Sequence, residues 1–116
     1  MSRDELQRLV DLQGAVEAIL GHSARAREEG SVDDPMLHDA LLFQFVVIGE
    51  AVKHLSEETR AQAPEVPWRD VAALRDLITH EYFRISIERI LQIVDRDLPV
   101  LQEAVARLLA DTQRNP

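Results

Sequence analysis

The sequence has no cysteine among its 116 residues, so disulfide bonds, zinc–thiolate sites and thiol nucleophiles are excluded. Aromatic residues make up only 4% of the chain, and there are only four glycines. The apolar content is therefore mostly Leu, Val, Ile and Ala, a mixture that favours helices over strands. The longest apolar stretch, residues 40–49, is interrupted by Gln44 and is far shorter than the roughly 20 residues of a membrane span.

Basic residues are also scarce, because 13 Lys and Arg face 21 Asp and Glu, which gives a net charge of −8. A nucleic-acid-binding protein usually carries a basic surface, and this chain as a whole does not. An enzyme acting on RNA would therefore need a local basic cleft, or Arg residues gathered from two subunits. The first ten residues, MSRDELQRLV, are charged and amphipathic, unlike a signal peptide. We therefore expect a cytoplasmic protein.

Apolar residues recur at three- and four-residue steps along the chain, the spacing of amphipathic helices. The predicted helices run from Arg3 to Arg27, from Pro35 to Leu55, from Trp68 to Tyr82 and onward from Ser86, with a short turn between Ser56 and Ala63. No alternating strand pattern is present. Because 46% of the residues are hydrophobic, residues 1–116 are predicted to form a single all-α domain, an up-and-down bundle of four to five helices.

Local signals mark the ends of the first two helices. Ser2 followed by Glu5 has the spacing of a capping box, and Gly30 is a typical stop signal. Asp34 before Pro35 is a typical start, because proline at the first helical position has no amide proton to leave unpaired. The face of the first helix predicted to be buried consists of Leu6, Leu9, Val10, Val16, Ile19 and Leu20, interrupted by Gln13.

The second and last helices each have one unusual feature. Phe43, Val46 and Val47 fall off the apolar stripe of the second helix, so this helix is apolar nearly all round and is predicted to be central or to face a second subunit. Pro99 is expected to kink or restart the last helix. The polar C-terminal end, TQRNP, is expected to fray.

The four histidines do not predict a metal site. The nearest approach to a Glu-x-x-His ligand pair is Glu50 with His54, which is one residue too long and occurs once. We expect His22 and His38 to be solvated or at helix ends, and we expect no metal cofactor.

The segment from Arg75 to Tyr82 concentrates chemistry in eight residues: a permanent cation, a carboxylate, an imidazole and a phenol. Asp76 and His80 are four positions apart and would share a helix face, where the carboxylate could orient the imidazole. Arg75 and His80 are five apart, roughly 140° around an ideal helix. Either the helix loosens near His80, or the two side chains converge across a two-fold axis. From the residues alone, an ordinary solvated helix end is the favoured interpretation, because charge pairs on helices are common.

The octet reads Arg, four residues, His, one residue, Tyr, and it resembles the signature of the HepT-like toxins of the HEPN superfamily (higher eukaryotes and prokaryotes nucleotide-binding). Other parts of the chain resemble the same family in the same order. They are Ile48-Gly49-Glu50-Ala51 with Lys53 and Leu55-Ser56, Pro64-Glu65-Val66-Pro67-Trp68-Arg69, and Asp97-Leu98-Pro99. The bare Arg-x4-His motif is weak, but the combined set is specific.

The resemblance implies a dimeric HEPN bundle in which two Arg/His motifs face one cleft and cleave RNA without metal. It implies the toxin of a type VII toxin–antitoxin pair, encoded beside a minimal nucleotidyltransferase antitoxin. That partner would use ATP to transfer AMP to the motif tyrosine, or would silence the toxin by binding alone. The RNA substrate would be a tRNA or an mRNA, and the protein itself would need no cofactor.

Carried over by position, the resemblance assigns Arg75 and His80 as the catalytic pair and Tyr82 as the AMP acceptor. Asp76 and Glu50 become supporting residues. Asp76 stands where relatives often have Asn, which places an extra negative charge near the phosphate. Arg84 stands where relatives often have Gly and is a candidate phosphate contact.

Two other functions remain open from the sequence. One is a non-catalytic helical module that binds a nucleotidyltransferase partner, which the net charge of −8 and Asp76 favour. The other is a nucleotide-binding or phosphotransfer accessory in which Arg75 holds a mononucleotide. No glycine-rich phosphate loop supports the second alternative, because the glycines at positions 14, 21, 30 and 49 form no such motif.

Overall fold

The computed structural model describes residues 1–114, which form five α-helices and no strand. The helices are α1 (Arg3–Glu29), α2 (Pro35–Lys53), α3 (Glu57–Ala61), α4 (Trp68–Glu81) and α5 (Ile87–Arg114). The predicted all-α bundle is confirmed. Asn115 and Pro116, the last two residues of the end expected to fray, lie outside the described residues.

The first helix begins at the predicted residue and stops at the predicted Gly30, but only part of the predicted face, including Leu9, Val16 and Ile19, is buried. The Ser2 hydroxyl accepts a hydrogen bond from the Glu5 amide over 3.0 Å, and Gly30 adopts the left-handed conformation with φ 68°, which favours glycine. Leu6 and Val10, predicted to be buried, are exposed, whereas Leu12 is fully buried. Apolar residues lie on two neighbouring stripes of this helix, and packing against α2 and α5 selects one of them.

The predicted capping box of α1 forms only in part, because the Glu5 carboxylate points elsewhere. It accepts a hydrogen bond from the amide of Ser56, 51 positions later, over 2.6 Å. Ser56 is the N-cap of α3, and its own hydroxyl accepts from the Thr59 amide. In a complete capping box the third helical residue would supply the carboxylate. Here Thr59 occupies that position, and Glu5 of α1 supplies the carboxylate from outside α3.

The second helix is the centre of the bundle and packs against both α1 and α4. The Asp34 side chain accepts from the Met36 amide and Pro35 occupies the first turn, as predicted. Its buried residues are Leu41, Leu42, Phe45, Ile48, Gly49, Ala51 and Val52. By its length and apolar composition alone, α2 could cross a membrane. A helix buried in a protein core can be equally long and apolar. Phe43, off the stripe, is 64% exposed.

The connector between α3 and α4 is held by Trp68. Its indole nitrogen donates to the carbonyl oxygens of Arg60 and Ala63, over 3.0 and 2.9 Å. The ring is buried, and α4 begins at this residue. The start of α4 is therefore fixed at the predicted position.

The last helix runs as one element from Ile87 to Arg114, with Pro99 inside it. The predicted restart at Pro99 is therefore wrong: a proline ring removes one helical hydrogen bond, and burial of residues on both sides, including Leu98 and Leu101, holds the helix together. The Ser86 hydroxyl accepts from the Arg89 amide over 3.2 Å, which confirms Ser86 as the predicted cap.

Contacts at both ends show that α5 runs opposite to α1. The C-terminal end of α1 meets the first half of α5, where Arg27 and Asp95 form two hydrogen bonds of 2.9 Å. The second half of α5 meets α3, where Arg107 donates to the carbonyl of Gln62, and α3 lies beside the first turn of α1 through the Glu5–Ser56 contact. The helices thus alternate in direction, as the predicted up-and-down arrangement requires.

Candidate active site

Arg75 and His80, the first two members of the Arg-x4-His-x-Tyr motif, lie on a regular part of α4. The helix continues without interruption from Trp68 to Glu81, and the Thr79 hydroxyl donates to the carbonyl of Arg75 over 2.8 Å. The helix therefore does not loosen at His80. Arg75 and His80 stay roughly 140° apart around it, Arg75 towards α2 and His80 towards solvent.

A glycine brings α2 against α4 at the level of Arg75. A Cβ atom built on Gly49 would lie 2.8 Å from the Arg75 Cβ, 3.0 Å from its amide nitrogen and 3.2 Å from the Ala72 carbonyl. Two of these three neighbours are backbone atoms, which cannot rotate away. Only glycine therefore fits where α2 crosses α4. The sequence indicated Gly49 only as one residue of the segment that resembles the HepT-like family.

The close crossing places Glu50, the next residue along α2, against the guanidinium of Arg75. The Arg75 Nε lies 2.7 Å from Glu50 Oε2, and the Arg75 NH1 lies 3.6 Å from Asp76 Oδ1. The Glu50 oxygen is itself buried, but the angle does not suit an aligned hydrogen bond, so the contact is an ion pair. The Arg75 and Glu50 side chains are each about two-fifths exposed. Glu50 thus holds Arg75 from a neighbouring helix while leaving much of the guanidinium open.

His80 is exposed, and no ion-pair or hydrogen-bond contact joins it to Asp76 within the described residues. The sequence reading expected the carboxylate four positions earlier to orient the imidazole. In the structure that carboxylate lies beside Arg75 instead. The imidazole of His80 is therefore free to meet a ligand or a second subunit.

Tyr82 follows α4 and is fixed by a residue that the sequence reading missed. Its hydroxyl donates to Asp39 Oδ1 on α2 over 2.6 Å. This hydrogen bond, with partial burial and the negative charge of Asp39, raises the pKa of Tyr82 above its ordinary value of 10.0. The residue is 36% exposed, so the hydroxyl is held but accessible. No sequence signal links two residues 43 positions apart.

His38 supports the same corner of the site. Its Nε2 lies 2.9 Å from the carbonyl oxygen of Ile85; because a carbonyl can only accept, Nε2 carries the proton and donates. The His38 ring meets the edge of Tyr82 with centroids 6.3 Å apart. His38 lies in the first turn of α2, at the expected helix end, but it is half-buried rather than solvated and ties α2 to the segment after α4.

The turn between α4 and α5 carries an exposed aromatic ring and an exposed cation. Phe83 is 97% exposed and meets Tyr82 edge-on, with ring centroids 5.1 Å apart. The Arg84 side chain is 83% exposed and reaches Glu81 only at 3.9 Å. Next to the turn, a cavity of about 270 Å³ opens between α4 and α5, with apolar walls and with Arg84 and Arg89 among its lining residues.

Within residues 1–114, no three His, Asp or Glu side chains are gathered as a metal site would require. His54, which the sequence placed nearest to a ligand pair, has its Nδ1 2.8 Å from the backbone carbonyl of Glu50 rather than its carboxylate. The chemistry present at α4 is therefore that of a guanidinium, an imidazole, a phenol and carboxylates.

An all-α bundle that carries Arg75 and His80 on one helix, with Tyr82 directly after it, has the features of the HEPN class. The HepT-like model, described as "Ribonuclease HepT-like", matches residues 12–108. The chain therefore belongs to the HepT-like ribonuclease family.

Several relatives support this membership. A Caldanaerobacter subterraneus subsp. tengcongensis protein with the provisional name RNase TTE0752 is 37% identical over 81 residues, 70% of this chain and 72% of that protein. The "Probable ribonuclease HepT" of Thermococcus cleftensis is 29% identical over 108 residues, 93% of this chain and 98% of that protein. A Methanocaldococcus jannaschii protein named as a gamma-glutamylcyclotransferase and provisional RNase is 27% identical, and the match spans 46% of its length. No solved structure matches the chain.

Proposed function

We propose that this protein is a metal-independent endoribonuclease that acts as a homodimer, the toxin of a type VII toxin–antitoxin pair in the cytoplasm. The observation that carries the proposal is the arrangement of Arg75 and His80 on one regular helix. Because the two side chains leave that helix on different sides, one copy does not direct both at one phosphate. A second copy, related by a two-fold axis, supplies the missing group to a shared cleft. Family membership supports the same activity.

The cleavage uses the 2′-hydroxyl of the RNA as the nucleophile. One His80 imidazole takes the proton of that hydroxyl as its oxygen bonds to phosphorus. The bond from phosphorus to the 5′-oxygen breaks, and His80 of the other copy, protonated, gives its proton to the leaving oxygen. The guanidinium of Arg75 stabilises the negative charge that develops on the phosphoryl oxygens. The products are a 2′,3′-cyclic phosphate and a 5′-hydroxyl.

Glu50 and Asp76 act on Arg75 in different ways in this mechanism. Glu50, at 2.7 Å from Nε, orients the guanidinium from α2 and leaves its other nitrogens for the phosphate. Asp76, at 3.6 Å and 64% exposed, adds negative charge close to where the phosphate binds. Glu50 is thus a positioning residue, and Asp76 weakens RNA affinity.

The dimer has structural support on α2. Phe43 is 64% exposed at the middle of the central helix, on the same side of α2 as Asp39, four positions earlier. A large apolar side chain at that place is typical of a surface covered by another chain. The pair α2 and α4 would then form the shared face that carries Phe43, Arg75 and Tyr82.

Silencing takes place at Tyr82. A minimal nucleotidyltransferase antitoxin transfers AMP from ATP to the Tyr82 hydroxyl, and pyrophosphate leaves. The partial exposure of Tyr82 is compatible with access to that hydroxyl. The attached AMP adds bulk and negative charge at the edge of the shared cleft and excludes the phosphates of RNA.

The cleavage experiment uses a mixed-sequence RNA in the presence of EDTA, with product ends identified by mass. The wild-type protein should give 2′,3′-cyclic phosphate ends. His80→Ala should lose cleavage and keep the wild-type sedimentation of a dimer. The matched control is His22→Ala on α1, which should cut like the wild type. Equal cutting by His80→Ala, or cutting that EDTA abolishes, would contradict the mechanism.

The silencing experiment follows the intact mass of the protein with a candidate nucleotidyltransferase and ATP. The wild type should gain mass in steps of AMP and lose cleavage, and Tyr82→Phe should gain nothing. Mass gain in Tyr82→Phe would place the acceptor elsewhere.

One observation favours a second function, a non-catalytic module that binds a nucleotidyltransferase partner. Arg75, the proposed catalytic cation, already faces two carboxylates in a chain with a net charge of −8. Under this alternative the purified dimer binds the partner tightly and shows no cleavage that depends on Arg75.

A further inference from the structure

We infer that Phe83 is a platform on which one base of the RNA stacks, and that Arg84 and Arg89 bind the adjoining phosphates. The inference rests on the proposed ribonuclease function and assigns that site a substrate-binding surface beyond Arg75 and His80. We call Phe83, Arg84 and Arg89 the stacking surface.

The exposure of Phe83 is the first observation. At 97% it exceeds that of every other large apolar side chain in the described part of the chain. Leaving a whole phenyl ring in water sacrifices about 1.5–3 kcal/mol of burial free energy. The bundle offers interior space next to this turn, because a cavity of about 270 Å³ with apolar walls lies beside it, yet the ring points away from that space.

The ring is also held in place. The turn that carries it is closed by hydrogen bonds from the amides of Arg84 and Ile85 to the carbonyl of Glu81, over 2.8 and 3.1 Å. Tyr82 packs edge-on against the ring at 5.1 Å with an interplanar angle of 81°. A T-shaped contact joins the edge of one ring to a face of the other. Whichever ring contributes its edge, at least one face of Phe83 remains for a flat partner.

The charges around the ring select the kind of partner. Arg84 is 83% exposed, and its 3.9 Å contact with Glu81 is at the limit of an ion pair, so it contributes little there. Arg89, in the first turns of α5, is exposed and lines the same cavity as Arg84. An exposed aromatic ring followed along the chain by exposed guanidinium groups matches a base joined to phosphates, whereas an apolar protein partner would leave both cations without a counter-charge.

The position next to His80 connects this surface with the chemistry. Phe83 follows His80 by three positions, and both residues are exposed. A base stacked on Phe83 would place its own ribose or the neighbouring one near the imidazole. The stacking surface therefore determines which nucleotide is presented for cleavage.

The test uses substitutions that separate a stacked base from a simple apolar contact. Phe83→Leu keeps an apolar side chain and removes the π face, while Phe83→Trp enlarges that face. Stacking contributes about 1–3 kcal/mol per base, so Phe83→Leu should raise KM for RNA about 5- to 150-fold with a smaller change in kcat. Phe83→Trp should keep the wild-type KM. The control is Leu6→Ala, which removes exposed apolar surface on the outer face of α1, where the leucine is 39% exposed, and should leave KM unchanged.

A second measurement reads binding without cleavage. In the His80→Ala background, an RNA oligonucleotide with 2-aminopurine in place of one base should lose fluorescence when it binds, and Phe83→Leu should restore that fluorescence. Arg84→Ala should reduce the slope of log Kd against log salt by about one unit. Arg69→Ala, at the exposed first turn of α4, should not change that slope.

The outcomes distinguish this inference from the proposed function. If the wild type cleaves RNA and Phe83→Leu leaves KM and fluorescence unchanged, the stacking surface is wrong and the ribonuclease stands. If Phe83→Leu instead changes sedimentation, Phe83 covers a second copy of the chain and the inference also fails. If the wild type neither cuts nor binds RNA, the proposed function itself fails, and the inference with it.

Discussion

The hydroxyl of Tyr82, the residue directly after α4, donates a hydrogen bond of 2.6 Å to the carboxylate of Asp39 on α2. The contact holds the phenol on the same side of the bundle as Phe43 and at one end of the α2–α4 pair. The ion pair between Arg75 and Glu50 holds the other end. Two contacts between the same helices therefore fix the proposed catalytic cation and the proposed AMP acceptor relative to each other.

The first prediction concerns the titration of Tyr82. Asp39→Asn removes the negative charge and weakens the acceptor, so the pKa of Tyr82 should fall towards its ordinary value of 10.0. In the wild type the raised pKa contributes stability below pH 10 that is lost as the pH rises through the higher value of the folded state. The absorbance of tyrosinate measures the shift directly, because the chain has one tyrosine. An unchanged titration in Asp39→Asn would show that the contact is absent in solution.

The second prediction concerns Gly49. Gly49→Ala places a methyl group 2.8 Å from the Arg75 Cβ and 3.0 Å from its amide nitrogen. The helices must separate, so the free energy of unfolding should fall by about 1–3 kcal/mol, and RNA cleavage should fall because Arg75 is displaced. Urea denaturation measures the first effect.

The control for this change is Gly14→Ala in the middle of α1. A Cβ atom there meets nothing within 4 Å, so the variant should be more stable by about 0.5–1 kcal/mol. If both glycine variants were equally stable, the close crossing of α2 and α4 would be wrong.

The third prediction concerns Glu5. Burial by itself would raise the pKa of Glu5, but the hydrogen bonds from the Ser56 amide and from the Thr59 and Ser56 hydroxyls outweigh it and lower the pKa below 4.5. Its contribution to stability is therefore present above pH 4.5 and is lost as the pH falls through the lower folded value. Glu5→Gln should lower the free energy of unfolding at neutral pH by about 1–2 kcal/mol. It should also make that free energy less dependent on pH under acidic conditions. Asp4→Asn, at the exposed neighbouring position, should do neither.

The fourth prediction separates the two carboxylates at Arg75. Glu50→Gln removes the partner at 2.7 Å, so the guanidinium loses its orientation and kcat should fall about tenfold, equivalent to about 1.4 kcal/mol. Asp76→Asn removes a looser, more exposed charge, so KM for RNA should decrease and kcat should change little. Steady-state kinetics on one oligonucleotide distinguishes the two variants. If both variants changed kcat and KM equally, Glu50 would not differ from Asp76 in positioning Arg75.

The fifth prediction concerns the dimer. Phe43→Asp places a charge on the exposed middle of α2, so the variant should sediment as a monomer and lose cleavage while keeping its helical circular dichroism. Leu6→Asp, on the outer face of α1 where the leucine is 39% exposed, should remain dimeric and active. A fully active monomeric Phe43→Asp protein would contradict a cleft shared by two copies.

The helix ends were predictable from the sequence because their signals are local. Ser2, Gly30, Asp34 and Ser86 each act within a few residues of their own position, and the structure confirms them. The buried face of α1 was predicted less well. Leu6 and Leu12 are equally apolar, and only the packing of α2 and α5 decides which of them is buried.

The contacts that build the site were not predictable in the same way. Asp39 lies 43 positions before Tyr82, and nothing in a single sequence pairs them. The same holds for the crossing at Gly49, since the need for glycine arises from the backbone of another helix. The sequence thus identified the motif on α4, but the residues of α2 that hold it emerge only from the fold.

The contact between Glu5 and Ser56 also bears on how the chain assembles as it is synthesised. The first helix is complete long before the amide that its carboxylate binds has been made, because the partner lies 51 positions later. Until then the carboxylate of Glu5 has no partner, although α2 can already pack against α1. The N-cap of α3 is therefore expected to be completed only once Ser56 has left the ribosome, still before the proposed catalytic helix follows.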